Sequence, residues 1–455
     1  MSHHPSVTSS SANRPPVPID KLRLPMRRLI HLENISGVAL IVAALVALAL
    51  ANSPLAEDVA HFWHTHLHIA IGPVELDESL VHWVNDGLMT IFFLVAGLEI
   101  KRELAVGDLR DPRKAALPAL AAAGGMIVPA VFYVLFAGGG DAGNGWGIPM
   151  ATDIAFAVGI LSLLGDRVPS PLKIFLLSLA IVDDLGAIVV IAVFYSSSLD
   201  FVSLGWAIGG VALMVALRKA GVWWTPIYVL LGIGIWYFTF ESGVHATLAG
   251  VVCGLLAPAT PHRPHVTVAE ASEMSSFEEL KEIIFETRES ISICDRLINT
   301  LHPWSALLII PVFALANTGV GLSATDVGNA ATSGVGRAVF IGLVFGKPVG
   351  ILLASMIAVR SGLATLPAGT SWRLMAGTAS IAGIGFTVSL FISDLAFTDE
   401  ELIADAKIGV LFASVAAGVI GASLIRSVPP MAADQAATGD ESADAETNEL
   451  VGAGH

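Results

Sequence analysis

Four charged residues lie in stretches that hydrocarbon ought to exclude. Asp153 sits in MATDIAFAVGIL, Asp183 and Asp184 in LSLAIVDDLGAIVVIAVFY, and Lys347 in FIGLVFGKPVGILL, each flanked by apolar residues. A charge at the bilayer centre costs ~2.5–3.5 kcal/mol even on the lenient insertion scale, so each needs a function or a partner. Two adjacent carboxylates are harder to accommodate still, because their charges repel. Successive helical residues point about 100° apart, so Asp183 and Asp184 address different neighbours. One can pair with a cation while the other stays free for a ligand. Carboxylates, the Thr152 hydroxyl and freed backbone carbonyls are hard oxygen donors suited to a small hard cation. The same carboxylates can take up and release protons, so proton and metal ion would compete for one site. The competing reading is a purely structural ion pair between Lys347 and one aspartate, and the doubled aspartate argues against it.

The elements that position these residues read as membrane helices. Of 455 residues, 54% are apolar and 14% charged, with a mean hydropathy of +0.74. Soluble domains carry roughly 25% charged residues, which excludes a large soluble enzyme. The net charge of -15 comes without a basic patch, which excludes a nucleic-acid partner. The two cysteines, Cys253 and Cys294, make neither a disulfide framework nor a metal site, and nothing calls for a cofactor.

Apolar stretches recur near 35–52, 80–100, 115–136, 149–164, 174–195, 201–217, 223–240, 243–258, 304–320, 335–358, 374–396 and 403–425. About 20 helical residues cross a ~30 Å hydrocarbon layer, so these are twelve candidate spans. The first ends without a small-residue cleavage pattern and reads as a retained span. Lys and Arg are kept on the cytoplasmic side. An internal N-terminus puts all 24 of them in cytoplasmic segments except Arg337, Lys347 and Lys407. Segment 53–79 is acidic without Lys or Arg, as an external loop should be, and its histidines 61, 64, 66 and 68 read as loop residues rather than metal ligands. Both termini are therefore expected inside. The expected organisation is a leader at 1–30, a membrane domain at 31–426 and an acidic disordered tail at 427–455. Within the domain, 259–302 is cytoplasmic and its part 276–301 reads as an amphipathic helix, with Phe277, Leu280, Ile284, Ile291 and Leu297 near helical spacing.

Two spans are interrupted. The fourth is short and holds Thr152, Asp153 and Gly159, and the eleventh, TASIAGIGFTVSL, holds Gly377, Gly383 and Gly385 beside Thr378 and Thr387. Such breaks survive only where they pack in protein or line a cavity. In corresponding positions of inverted six-helix halves they mark a transporter's midplane site. The plainer reading is that small residues let helices approach closely, and the pairing of the two breaks favours the first.

GLEIKREL (97–104), ATDIAFAVGIL (151–161), LAIVDDLGAIVVIAVFY (179–195), GVHATLAGV (243–251), LHPWSALLIIPVFALANTGV (301–320), GKPVGI (346–351) and GIGFTVSLFISDLAF (383–397) together resemble the NhaA family of bacterial sodium/proton antiporters. The resemblance implies an all-α membrane protein of about twelve transmembrane helices with inverted repeats and two broken helices crossing at the midplane. It implies a multi-pass protein of the bacterial inner membrane that exchanges internal Na+ or Li+ for external H+, electrogenically and with pH dependence. Asp184 and Asp183 would bind the transported Na+ and the protons, Asp183 being the partner of Lys347. Thr152 and Asp153 would lie at the fourth-span break, where Asp153 offsets helix dipoles. Glu99, Lys101, Arg102 and Glu103 would form the cytoplasmic funnel of the pH response, and His245 and Asp86 match further motif positions. Taken alone, GLEIKREL is a solvated helix end and His245 a neutral packing residue. The oligomeric state is left open, a homodimer included.

Two other classes use buried carboxylates. An intramembrane aspartyl protease needs its two aspartates on separate helices facing one water, and no accompanying protease motif is present. A cation channel needs a selectivity ring and downhill flux without proton coupling.

Overall fold

The computed structural model describes residues 25–71, 74–196, 199–222, 224–259 and 292–429. The leader before Pro25, residues 260–291 with the first part of the expected amphipathic helix, and the acidic tail from Pro430 lie outside the described residues, whereas the end of that expected helix falls in the helix that begins at Ile293.

The chain opens with α1 (Pro25–Ala51) and α2 (Ala56–Trp63), which meet at 117°. A hairpin of β1 (His66–Ile71) and β2 (Val74–Ser79) follows. Next come α3 (Leu80–Val106), α4 (Pro112–Ala137), a 3₁₀ segment (Gly140–Met150), α5 (Ile154–Leu163), α6 (Ser170–Phe194) and α7 (Phe201–Lys219). Asp200 caps α7 by accepting from the Val202 and Ser203 amides, and the Ser203 side chain, followed by these amides, holds its carboxyl below the usual carboxylate range. Two shorter apolar helices, α8 (Thr225–Glu241) and α9 (Thr247–Leu256), precede α10 (Ile293–Asn317). The chain then forms α11 (Ala324–Thr332), α12 (Gly334–Arg360), the bent pair α13 (Trp372–Ile381) and α14 (Phe386–Ala396), and α15 (Glu400–Arg426).

Among the described residues, seven helices are long and apolar enough to cross a membrane, and ten if each bent pair is one span. The surface is that of a protein surrounded by lipid. Leu135, Val193, Leu230, Ile357 and Val415 are exposed, whereas Asp183 and Lys347 are fully buried.

The acidic stretch 53–79 is more ordered than a loop. Its β1 pairs antiparallel with β2, His66 opposite Ser79 and Ile71 opposite Val74. Leu67, Ile69 and Ile71 alternate with His66 and His68 at the strand period of two, which polar composition alone conceals. His66 Nδ1 lies 3.2 Å from Asp77 Oδ1 on the facing strand.

Close helix contact comes from glycine. Lipid offers no hydrophobic drive between helices, so association depends on packing and small residues. Along α12, Gly342, Gly346 and Gly350 recur every fourth residue. A Cβ on Gly346 would stand 2.8 Å from Pro129 Cα, and one on Gly350 would strike the Gly124 carbonyl of α4. Gly97 of α3 meets the Val251 carbonyl of α9 in the same way. The residues Gly342–Gly346 form a wide turn in which amides bond five residues back, as do Trp83–Leu88 in α3 and Ser305–Ile309 in α10. Such turns cluster at functional sites, and this one ends at Lys347.

Overpacking a close contact costs ~1–3 kcal/mol. Gly350→Val should therefore lower the thermal unfolding temperature in detergent, while Gly159→Ala, whose new methyl meets nothing within 4 Å, should not. Equal melting of the Gly350→Val and unaltered proteins would show that this crossing does not limit stability.

Candidate functional site

The two interrupted spans cross at their breaks. The 3₁₀ segment and α5 bend by 45° around Ala151, Thr152 and Asp153, and α13 and α14 bend by 47° around residues 382–385. Each break supplies partners for the other. The Asp153 amide donates to the Ile384 carbonyl at 2.7 Å, and the Ser389 hydroxyl donates to the Ile148 carbonyl at 2.7 Å. The Phe386 amide reaches the Ser414 hydroxyl of α15 at 3.3 Å.

Asp153 joins the crossing electrostatically. Its Oδ1 accepts from the Phe156 amide in the first turn of α5 at 3.0 Å. Its Oδ2 accepts from the Thr387 amide at 3.1 Å and the Thr387 hydroxyl at 2.7 Å, in the first turn of α14. A helix N-terminus carries roughly +0.5 charge, so two such ends converge on one carboxylate. The opposite halves leave carbonyls at the crossing. Lys347 Nζ donates to the Met150 carbonyl at the end of the 3₁₀ segment, and the Thr152 hydroxyl lies 2.9 Å from the Ala382 carbonyl.

Asp183 and Asp184 enter from α6. Asp183 Oδ2 accepts from Lys347 Nζ at 2.5 Å and from the Thr152 hydroxyl at 2.8 Å. Its Oδ1 has no protein hydrogen-bond partner, and neither does Asp184 Oδ1. Asp184 is 6% exposed, against 0% for Asp183 and Lys347. Buried polar atoms are nearly always satisfied, and an orphaned one loses the full desolvation penalty. Two orphaned carboxylate oxygens on consecutive residues suit a small cation or protons as cargo. Among the described residues, no group of three His, Cys, Asp or Glu side chains could hold a resident metal ion.

The structure thus brings Thr152, Asp153, Asp183, Asp184 and Lys347 into one buried region. The remaining candidates lie elsewhere. On the last turns of α3, Glu99 Oε1 stands 3.9 Å from His302 Nε2 of α10, and Arg102 Nε 3.1 Å from Asp295 Oδ1. Glu103 accepts from the Asp108 amide at 2.9 Å, closing the turn after α3. Lys101 is half-buried on the same turns. Asp86 sits at the other end of α3, inside its wide turn, roughly 20 Å from Glu99 at 1.5 Å of rise per residue. Its carbonyl accepts from Trp236 Nε1 at 3.0 Å and from the Thr90 hydroxyl. His245, between α8 and α9, donates through Nε2 to the Tyr195 carbonyl at 2.6 Å.

The sequence reading singles out Thr387 and Lys407 but assigns neither its partner. Thr387 contacts Asp153 twice, and a hydroxyl in the first turn after Gly383 and Gly385 is the signal for it. Lys407 of α15 pairs with Asp394 of α14 at 2.7 Å, a second largely buried ion pair. Acid and base in consecutive spans, one of them a cation outside the charge bias, could have marked it.

Residues 27–425 match the family described as Na+/H+ antiporter 1. The chain is similar to Na(+)/H(+) antiporter NhaA 2 of Myxococcus xanthus, 48% identical over 88% of this chain and 89% of that protein. It is 46% identical to Na(+)/H(+) antiporter NhaA of Rhodopirellula baltica, over 90% of this chain and 95% of that one. Na(+)/H(+) antiporter NhaA 2 of Sorangium cellulosum is 42% identical over 95% and 98% of the two chains.

Removing one member of a buried ion pair costs ~3–5 kcal/mol because the other charge is left uncompensated. Lys347→Ala should therefore lower thermal stability substantially, and the added change Asp183→Asn should restore part of the loss. Losses that simply add in the double variant, measured as a double-mutant cycle in detergent, would show that the two charges do not stabilise each other.

Proposed function

The chain belongs to the NhaA family of Na+/H+ antiporters, and from that premise we propose that it extrudes Na+, or Li+, in exchange for external protons. In this reading it spans the bacterial inner membrane twelve times, with inverted halves, both termini in the cytoplasm and the crossing of the breaks near the midplane. The seven long helices, the two bent pairs at the crossing and the shorter α8 and α9, with α1, supply those spans.

One observation carries the reading. Of two adjacent buried carboxylates, Asp183 is held by Lys347 and Thr152, while Asp184 Oδ1 has no protein partner. Asp184 is then the principal ligand of Na+, Asp183 Oδ1 adds a second oxygen, and both exchange protons with the cation. More than one titratable group serving one monovalent ion makes the exchange electrogenic. Thr152 and Lys347 position Asp183, and Asp153 offsets the two helix N-termini. The charged turns Glu99, Lys101, Arg102 and Glu103 adjust access from the cytoplasmic end with pH, and Asp86 and His245 act toward the other end. A purely structural ion pair would account for Asp183 and Lys347 but leaves Asp184 unexplained.

In proteoliposomes with an acidified lumen, added Na+ should drive protons out. Asp184→Asn keeps the shape but cannot neutralise Na+ or release a proton, and it should abolish that movement while the protein still inserts and folds. Exchange at near-normal rate in that variant would remove Asp184 from the site.

Direct competition sets the pH dependence. If Na+ enters only as protons leave, apparent Na+ affinity should rise about tenfold per pH unit for each proton displaced, through ~1.4 kcal/mol of linkage apiece, and level off once the site is ionised. Turnover at saturating Na+ should change little across that range. A turnover that falls at acid pH with affinity unchanged would instead place the pH response in a separate gate.

A further inference from the structure

Away from the crossing, α11, α12 and α15 enclose a groove of about 390 Å³, inside the ~300–1,000 Å³ range of ligand pockets. Val327, Ala331, Phe340, Ile341, Ile408 and Phe412 give it an apolar wall, and its one charged lining residue is Arg337. Gly336 and Gly409 bring the two long helices together along its floor: a Cβ on Gly409 would stand 2.8 Å from the Gly336 carbonyl.

Arg337 has no ion-pair partner among the described residues. It is exposed, and its Nε donates to the Ser333 carbonyl at 3.1 Å. Among the described residues no carboxylate forms a salt bridge with it. The nearest acid on α11, Asp326, is turned back onto Ser323 as a capping box. A cation in the first turn of a helix also opposes the helix dipole, so the charge of Arg337 is not there to stabilise α12. It further departs from the cytoplasmic bias of the basic residues, being one of only three outside it.

Charge and depth fit one occupant. Arg337 lies one turn into α12, where a span meets the headgroup region, and the apolar wall continues inward through Phe340 and Ile341 on α12 and Ile408 and Phe412 on α15. We propose that this groove is a binding site for an anionic phospholipid, its phosphate on the free Arg337 guanidinium nitrogens and an acyl chain between α12 and α15. Placement in the outer leaflet rests on the orientation proposed above; the site itself does not.

The test is native mass spectrometry of the full chain in detergent, titrated with phosphatidylglycerol, phosphatidylcholine or glycerol 3-phosphate. Phosphatidylglycerol should add one tight adduct that phosphatidylcholine does not match. Arg337→Gln should weaken that adduct about fivefold, the factor for one cation at a membrane surface. Ala331→Trp, which fills the groove while keeping Arg337, should remove it. The proposal is overturned if Arg337→Gln keeps the full preference, if both lipids bind the unaltered protein equally, or if glycerol 3-phosphate alone competes as well as the lipid. Binding is read without transport, so failure here leaves the antiporter reading intact, and the reverse holds too.

Discussion

A helix that breaks inside a membrane exposes donors and acceptors that lipid cannot satisfy, and here two breaks satisfy each other. The Asp153 amide finds the Ile384 carbonyl, and the Ser389 hydroxyl finds that of Ile148. Neither break could persist alone, because each unsatisfied group in hydrocarbon costs several kcal/mol. The crossing also sorts charge. Two N-terminal ends meet the Asp153 carboxylate, and carbonyl ends meet the Lys347 ammonium and the Thr152 hydroxyl. Opposite charges are thus fixed on two sides of one short gap, and α6 passes its aspartates beside it.

Position at this gap depends on how closely the supporting helices approach. Lys347 follows Gly346, whose contact with Pro129 leaves no room for a side chain. Its ammonium therefore reaches Met150 and Asp183 from a helix seated tightly on α4. A looser contact would separate charge from partner by an ångström or more, and a buried pair tolerates poor geometry badly. The Asp394–Lys407 pair ties α14 to α15 beyond the break, so the half-helix capped by Asp153 is held near both ends.

How much of this is legible in the sequence depends on whether the cause is local. A charge inside an apolar run has few explanations, so Asp153, Asp183, Asp184 and Lys347 stand out from composition alone. The hundred-degree offset between consecutive residues predicts different neighbours for Asp183 and Asp184, and only one of them meets Lys347. Which one is not decided by spacing; it is a fact of tertiary packing that the family resemblance supplies. Thr387 stands out as a hydroxyl at the interrupted span, but its role stays hidden because it depends on a carboxylate 234 positions away. The hairpin at 66–79 is hidden differently, since its alternation is masked by acids and histidines that read as loop. Asp86 and Glu103 show the limit of motif matching. They belong to one helix, yet lie at opposite ends of it with unrelated partners.

Thr152 connects the two halves of this arrangement through a single proton. Its hydroxyl lies within hydrogen-bond distance of both Asp183 Oδ2 and the Ala382 carbonyl, at 2.8 and 2.9 Å, and can donate to only one at a time. Against an ionised Asp183, the charge-assisted bond is the stronger and the hydroxyl turns toward the carboxylate. When Asp183 carries a proton on that oxygen, the preference lapses, and the hydroxyl is released to the carbonyl at the eleventh-span break. Proton occupancy on α6 thereby alters the backbone satisfaction of α13. Asp153 cannot take this part, because both of its oxygens are already committed to α5 and α14. On the antiporter function proposed above, ion and proton exchange is left to the α6 pair, and Thr152 joins that pair to the break of α13, as Lys347 joins it to the break before α5.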